Sequence, residues 1–470
     1  MHPMTPNLGQ NECATLEDAV VLGHLIGDSV LIKRHVIGVG ICTSFERYGK
    51  KRRWRTIGMM PLSSFLCDFV EQMGAGIAGL ATAVALKRVG IKALLLERSD
   101  GLRATGAALT LFPNAWRALD ALGVSHKLTS LYARPNAAYV TNLETGAIQE
   151  VVFAGNNVDG GGAPRSVHRK VLLEALAEEL PANSVRFSSK ITTTGTITHE
   201  GSSIAVVNME DGSVIKAKVL IGCDGVHSVV ASWLGLAAPV HSGRSAVRGL
   251  TVFPQGHGLK QEIRQFVGAG RRAGFVPFTD KDIYWFLTCP SPAKGTPGDP
   301  EVIQRELIDN YVKDLPEQYL DIVKHADLST LTWAPLLFRQ PWKVAFGNLC
   351  KQNITVAGDA MHPMTPDLGQ GGCSALEDAV VLGRHIGTSF IQNGGLVPGD
   401  MPRVLGNYVE ERRWRAVWLI TGSYASGWVQ QGGSSWAGKF FRDTIFYRFL
   451  FRKVASVMQY DCGKLPTVTI

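Results

Sequence analysis

Charge is scarce in this chain: Asp, Glu, Lys and Arg make up 19% of its 470 residues, against 45% hydrophobic residues and a mean hydropathy of +0.06. Global disorder is thereby excluded, because apolar surface is ample to offset chain entropy, and at roughly 150 residues per domain the length argues for about three domains. Cysteine is sparse as well. The eight thiols, at 13, 42, 67, 223, 289, 350, 373 and 462, show no pair two residues apart and no Cys/His cluster at zinc spacing. Neither a disulfide scaffold nor a metal site is expected. No run of about 18 apolar residues occurs, and the N-terminus MHPMTPNLGQ lacks a basic region followed by an apolar stretch. The expectation is a cytoplasmic protein in a reducing compartment, with no signal peptide or transmembrane segment. The net charge of +8 is diffuse, and residues 1–60 supply part of it with eight Lys/Arg against five Asp/Glu. Such a thin excess argues against a nucleic-acid partner.

The chain repeats part of itself. Residues 1–27, MHPMTPNLGQNECATLEDAVVLGHLIG, match residues 361–387, MHPMTPDLGQGGCSALEDAVVLGRHIG, at 20 of 27 positions. The same offset carries Tyr48, Arg52, Arg53, Trp54 and Arg55 onto Tyr408, Arg412, Arg413, Trp414 and Arg415. Two distant and unequal copies do not make a solenoid. Residues 1–66 read as a partial duplicate of 361–426, a remnant rather than a second ligand loop. Where the later copy has Gly371-Gly372 the first has Asn11-Glu12, which removes the close backbone approach that glycines permit.

GAGIAGL, Gly74 to Leu80, opens a helical pattern, AGLATAVALKRVG, and the apolar run KALLLER follows, ending in Glu97 and Arg98. This is the arrangement of a dinucleotide-binding turn. Gly74 permits the tight turn, Gly76 admits a pyrophosphate against the backbone, Gly79 lets helix pack on sheet, and Glu97 stands where an acid meets a ribose hydroxyl. The strand in front conflicts with it. CDFVEQM, residues 67–73, would place Glu71 and Gln72 in a central parallel strand buried on both faces. A carboxylate there costs several kcal/mol or becomes neutral. The conflict coincides with the end of the repeat, as though the junction had replaced an apolar first strand.

Two later segments have a strand ending in Asp: AKVLIGCDGVHSVV (217–230), with Asp224-Gly225, and NITVAGDAMHPMTPDLGQGGCSALEDAVVLG (353–383), with Gly358-Asp359. Alone, Asp-Gly is a turn signal. Following the glycine-rich turn in this order, these segments, with LLLERSDGLRATGAALTLFPNAWRALDALGV and RSVHRKVLLEAL, make residues 74–470 resemble the group A FAD-dependent aromatic monooxygenases. The likeness is to their salicylate-hydroxylase-like members, and most of all to the plant branch.

The resemblance implies an α/β fold: a doubly wound FAD-binding domain (67–130, 163–236 and 343–390), an inserted, mostly antiparallel substrate domain (131–162 and 237–342) and a helical C-terminal part (391–470). It puts Gly74, Gly76 and Gly79 at the FAD pyrophosphate, Glu97 on the adenosine ribose, and Arg103 and Arg169 beside the cofactor. Asp224 matches an Asp tied to FAD and nicotinamide use, and Asp359 one at the ribityl-phosphate region. Pro366, Gly369, Gln370, Gly371 and Gly372 match the loop that leads a helix toward the flavin ring. Both arginines could instead be surface residues, and His362 reads as structural. The activity implied is transfer of one oxygen atom from O2 to an aromatic or electron-rich small molecule through a flavin C4a-hydroperoxide, with NADH or NADPH as reductant. The rival readings are an impaired flavoprotein relic or a reductase of the same fold; the WxWxIP motif of halogenases is absent. No catalytic residue stands out, as expected where the cofactor carries the chemistry.

AVRGLTVF, RAGFVPFTD and DIYWFLTCP read as strands of the substrate domain. Arg248, Phe275, Pro277, Tyr284 and Trp285 either line an aromatic pocket or form sheet core. Core is favoured for Tyr284 and Trp285, and Arg248 and Phe275 stand as substrate candidates. The stretch 440–460, FFRDTIFYRFLFRKVASVMQY, is helical in pattern, aromatic and basic. Packing on the body is preferred to contact with an anionic membrane surface.

Overall fold

The computed structural model describes residues 67–102, 108–150, 164–268, 270–293, 295, 298–431 and 457–467, all within the unit Cys67–Ile470. The N-terminal repeat, Arg103, residues 151–162 and most of the 440–460 stretch lie outside the described residues.

The first sheet is built on β1 (Cys67–Met73), which feeds the glycine turn and helix α1 (Ile77–Arg88) and returns as β2 (Lys92–Leu96). On the other side of β1 lies β3 (Val214–Gly222), followed by β4 (Ile354–Val356), and all four strands are parallel. The short strand Val185–Arg186 extends the parallel set beyond β2. A hairpin, Ile191–His199 and Ser202–Met209, pairs antiparallel with the start of β3. A parallel order in which the chain crosses from one side of β1 to the other makes a doubly wound sheet, whose ligands bind at the carboxyl ends of the central strands.

β1 forms despite its composition. Glu71 sits in register between Leu94 and Leu220, and Gln72 between Leu95 and Ile221. The side chains are 2% and 0% exposed, and neither Glu71 Oε1 nor either amide atom of Gln72 has a hydrogen-bond partner. Burial pushes the Glu71 carboxyl up to about 8, with the Arg186 charge opposing it. The ladder on both sides and the core above and below impose the strand on residues that do not favour it.

The second sheet has seven strands, in the order Thr332–Phe338, Val240–Val252, Asp282–Pro290, Arg271–Pro277, Glu262–Gly268, Ala137–Asn142, Ile148–Glu150. Every pairing is antiparallel except that of Glu262–Gly268 with Ala137–Asn142. One face packs on helices Pro300–Asn310 and Glu317–Lys324 through Trp285, Phe275 and Tyr319. Helix α2 (Gly371–Asn393) packs on α1, and the long α3 (Met401–Gln431) packs on α2. Among the described residues, no helix is long and apolar enough to cross a membrane.

Candidate functional site

The two sheets share one cleft of about 460 Å³. Its floor is the glycine turn. Gly74 has φ +96°, and a Cβ on it would come within 2.5 Å of the Cys223 carbonyl oxygen; one on Gly79 would meet the Gly74 carbonyl oxygen at 1.9 Å. Only glycine allows this turn and this contact between helix and strand. At Gly76 an added Cβ would meet nothing within 4 Å, so the backbone there faces open space. Gly76 caps α1 without any side-chain hydrogen bond, which leaves the amides of the first turn available to an anion.

Glu97 ties the turn down: its carboxylate accepts from the Ala75 amide at 2.8 Å and from the Ser99 amide at 2.9 Å. Asp224 holds the start of the next helix by accepting from the Val229 amide at 2.7 Å. Its other oxygen is buried without a partner, and burial raises its pKa. Arg169 has an orphaned buried Nε; burial lowers its pKa, while the charge of Asp359 pulls the other way. Arg169 and Asp359 both line the cleft.

Beyond Asp359 the chain makes a short turn of 3-10 helix, Pro366–Leu368, then Gly369 in the left-handed region at φ +66°, then α2, which begins at Gly371-Gly372 with no side-chain cap. Pro366, Gly369, Gly371 and Gly372 line the cleft. Gln370 does not. It is fully buried and accepts from Asn114 Nδ2 at 2.9 Å, so it pins the loop from behind.

Behind that loop lies a buried ionic cluster. His362 Nε2 is 2.6 Å from Asp378 Oδ2, Arg412 donates to Asp378 at 2.6 Å and pairs with Glu377 at 2.7 Å, and all four side chains are fully buried. Asn114 and Arg415 also bind Glu377. Burial raises the Asp378 pKa, but the His362 and Arg412 charges outweigh it and hold the carboxyl down to about 2. The Gly358 amide donates to the same Asp378 at 2.8 Å, so the cluster fixes the turn that carries Asp359. His362 is fully buried against Asp378 and does not border the cleft. Asn114, Glu377, Asp378 and Arg412 escape sequence reading, because charges on a helix look like a solvated face; only their survival together in the repeat, as Glu17, Asp18 and Arg52, hints at a shared role.

The opposite wall is the second sheet. Arg248, Tyr284, Phe286 and Arg272 line the cleft. Arg272 is held by Asp367, which also takes a two-pronged pair from Arg244 at 2.8 and 3.0 Å. Arg248 has no ion-pair partner among the described residues. Two readings of the strands need correction. Phe275, 2% exposed, packs on Phe266 in the core and does not border the cleft, and Pro277 is likewise buried away from it. Tyr284, expected in the core, packs partly buried against it and also borders the cleft, whereas Trp285 is core as expected.

A family model described as "FAD binding domain" matches residues 71–420. Monooxygenase 2 of Arabidopsis thaliana is 42% identical over 405 residues, covering 84% of this chain and 97% of that protein. The chain belongs to the FAD-dependent monooxygenases. Another relative, the FAD-dependent urate hydroxylase of Klebsiella oxytoca, is 29% identical over 315 residues, which is 66% of this chain and 79% of the hydroxylase. In fold, the monooxygenase resembles Klebsiella pneumoniae HpxO solved with FAD and uric acid, at TM-score 0.71 and 24% identity, covering 86% of this chain and all of that one. The repeat at 1–66 lies wholly outside the family match.

Proposed function

We propose that the cleft binds FAD along its floor and an aromatic or electron-rich small molecule bearing an acidic group against its far wall. One oxygen atom from O2 would be inserted at the expense of NADH or NADPH. The observation that supports this reading best is a single cavity in which two uncapped helix N-termini and the Arg169–Asp359 pair face a ring-lined wall carrying Arg248. The residues fit the cofactor: the glycine cradle leaves no room for a Cβ at Gly74 or Gly79, and Arg169 and Asp224 each keep a buried polar atom without a partner.

In this reading Gly74 to Gly79 and the start of α1 hold the pyrophosphate, with Glu97 keeping the turn closed toward the ribose. Arg169 and Asp359 hold the ribityl-phosphate region, and Asp224 stands at the neighbouring strand end. The first amides of α2, at Gly371 and Gly372, stabilise negative charge at the edge of the reduced ring. Arg248 binds the substrate's anionic group by a charge-assisted hydrogen bond, and Tyr284 and Phe286 lie against its ring and exclude water. Bound FAD would supply electron transfer from the nicotinamide and activation of O2, so the protein's share is positioning and electrostatics.

The test is direct. Purified protein should be yellow with about one FAD per chain, should oxidise NADH or NADPH faster when an aromatic acid is present, and should place heavy oxygen from labelled O2 in the product. A colourless protein that takes up no added FAD would instead favour the relic reading, for which the orphaned side chains of β1 are the motive.

A further inference from the structure

Helix α3 runs 31 residues, and from Ala416 to Gln431 it carries no charged side chain, in the sequence AVWLITGSYASGWVQQ. Its outer face is nonetheless exposed: Trp414 is 56% accessible, Trp418 70%, Tyr424 39% and Trp428 65%. A surface helix ordinarily turns charged residues to water, and three exposed tryptophans on one helix form a patch that calls for a partner.

The spacing says which partner. At about 100° per residue, Trp414 and Trp428 lie about 20° to either side of Thr421, and Trp418 and Tyr424 about 60° to either side. Each pair is equidistant from Thr421 along the helix axis, seven residues for the outer pair and three for the inner. The face is therefore a palindrome in space. Turned by a half rotation about an axis beside Thr421 and perpendicular to both helices, it sets Trp414 level with Trp428, Trp418 over Ala425 and Val417 over Tyr424 of a second copy. Self-complementarity of this kind is what a two-fold interface requires.

We propose that two copies of this chain pair through α3, antiparallel, with the two-fold axis at Thr421. The area suffices. At about 200–250 Å² per aromatic side chain, the four exposed rings offer roughly 550 Å² per copy, or about 1,100 Å² for the pair. That clears the roughly 1,000 Å² that a specific interface needs. Stacking of Tyr424 on Phe338, with ring centroids 4.6 Å apart, holds one of the four rings in place beforehand. A lipid surface fits less well, because helices that lie on membranes carry free Lys and Arg beside the apolar face; residues 416–431 have none, and beside Trp414, Arg413 is bonded to the Val344 and Ala345 carbonyls and Arg415 to Glu377.

Light scattering on the full FAD-loaded chain should give about twice 50.9 kDa, and the double substitution Trp418→Glu/Trp428→Glu should halve that mass while the flavin stays bound. Thr421→Cys is the sharper probe, since only a residue on the axis meets itself. Helix axes about 8–10 Å apart bring facing Cα atoms to roughly 4–5 Å, within disulfide reach. Mild oxidation should cross-link this variant quantitatively and faster than the wild-type chain, in which Cys223, Cys289, Cys373 and Cys462 are buried and Cys350 is half-buried. A monomeric wild type at tens of micromolar, a dimer that survives both glutamates, or a Thr421→Cys variant that cross-links no faster than wild type would each overturn the proposal. So would a monomer that sediments with anionic vesicles through Trp418 and Trp428.

Discussion

Replacing Glu71 with Ile should stabilise the protein by an amount that depends on pH in the direction opposite to most carboxylates. The group ionises near 4.5 when exposed and near about 8 in the folded chain. A raised acid costs nothing below its unfolded pKa, costs more as pH climbs toward the folded value, and carries the full penalty above it. With about 1.4 kcal/mol per unit, the electrostatic gain from Glu71→Ile is about 1.5 kcal/mol at pH 5.5, about 3 at pH 7 and about 4.5 at pH 8.5. Gln72→Val is the control: removing two unpaired amide atoms should add about 1–3 kcal/mol with no pH dependence. Urea unfolding of the three chains at those pH values, followed by tryptophan fluorescence and far-ultraviolet circular dichroism, reads both effects. A Glu71→Ile gain that stays constant from pH 5.5 to 8.5 would refute the claim that the buried carboxyl is neutral in the strand.

Further outcomes follow from the site. Arg248→Met should raise KM for an acidic aromatic substrate by about 10–100-fold, the loss of a charge-assisted hydrogen bond of about 1.5–3 kcal/mol, and leave FAD affinity unchanged in a fluorescence titration. Gly79→Ala should abolish FAD binding or folding, since its methyl would overlap the Gly74 carbonyl; equilibrium dialysis and circular dichroism separate the two results. Arg412→Leu should destabilise the chain by about 3–5 kcal/mol in urea, because it removes the buried cation that Glu377 and Asp378 share and leaves them only Arg415 and His362. Phe275→Leu should lower stability with KM unchanged, as a core substitution does, whereas Tyr284→Leu should raise KM.

The floor of the cleft was legible where its shape depends on backbone. GAGIAGL, the run ending in Glu97, Asp224 and Gly371-Gly372 each announce a turn or a helix start by residue type alone; the first three follow the ends of strands of the parallel sheet, and the glycine pair opens α2. The far wall was not, because alternation along a strand tells which residues share a face but not which face is wet. Phe275 pairs across the sheet with Trp285, and both look into the core. Arg248 pairs with Phe286, and both look into the cleft. Offering Arg248, Phe275, Tyr284 and Trp285 together, as pocket or as core, therefore mixed two sides of a sheet. Nor could the ionic cluster be read, since its members lie far apart in sequence and only folding brings Asn114 to Glu377.

One edge of the cleft comes from beyond the family match, which ends at residue 420. Met458 and Gln459 border the cavity, the Asn114 amide donates to the Met458 carbonyl at 3.0 Å, Arg117 grips Gln459, and Arg415 reaches the Val457 carbonyl at 3.0 Å. Residues 458–459 thus border the cleft from a part of the chain that the family match leaves out. A protein trimmed to residue 420 would keep every glycine of the turn and lose this edge of the cleft. Weak FAD retention by such a fragment would then speak to the missing edge rather than to the turn.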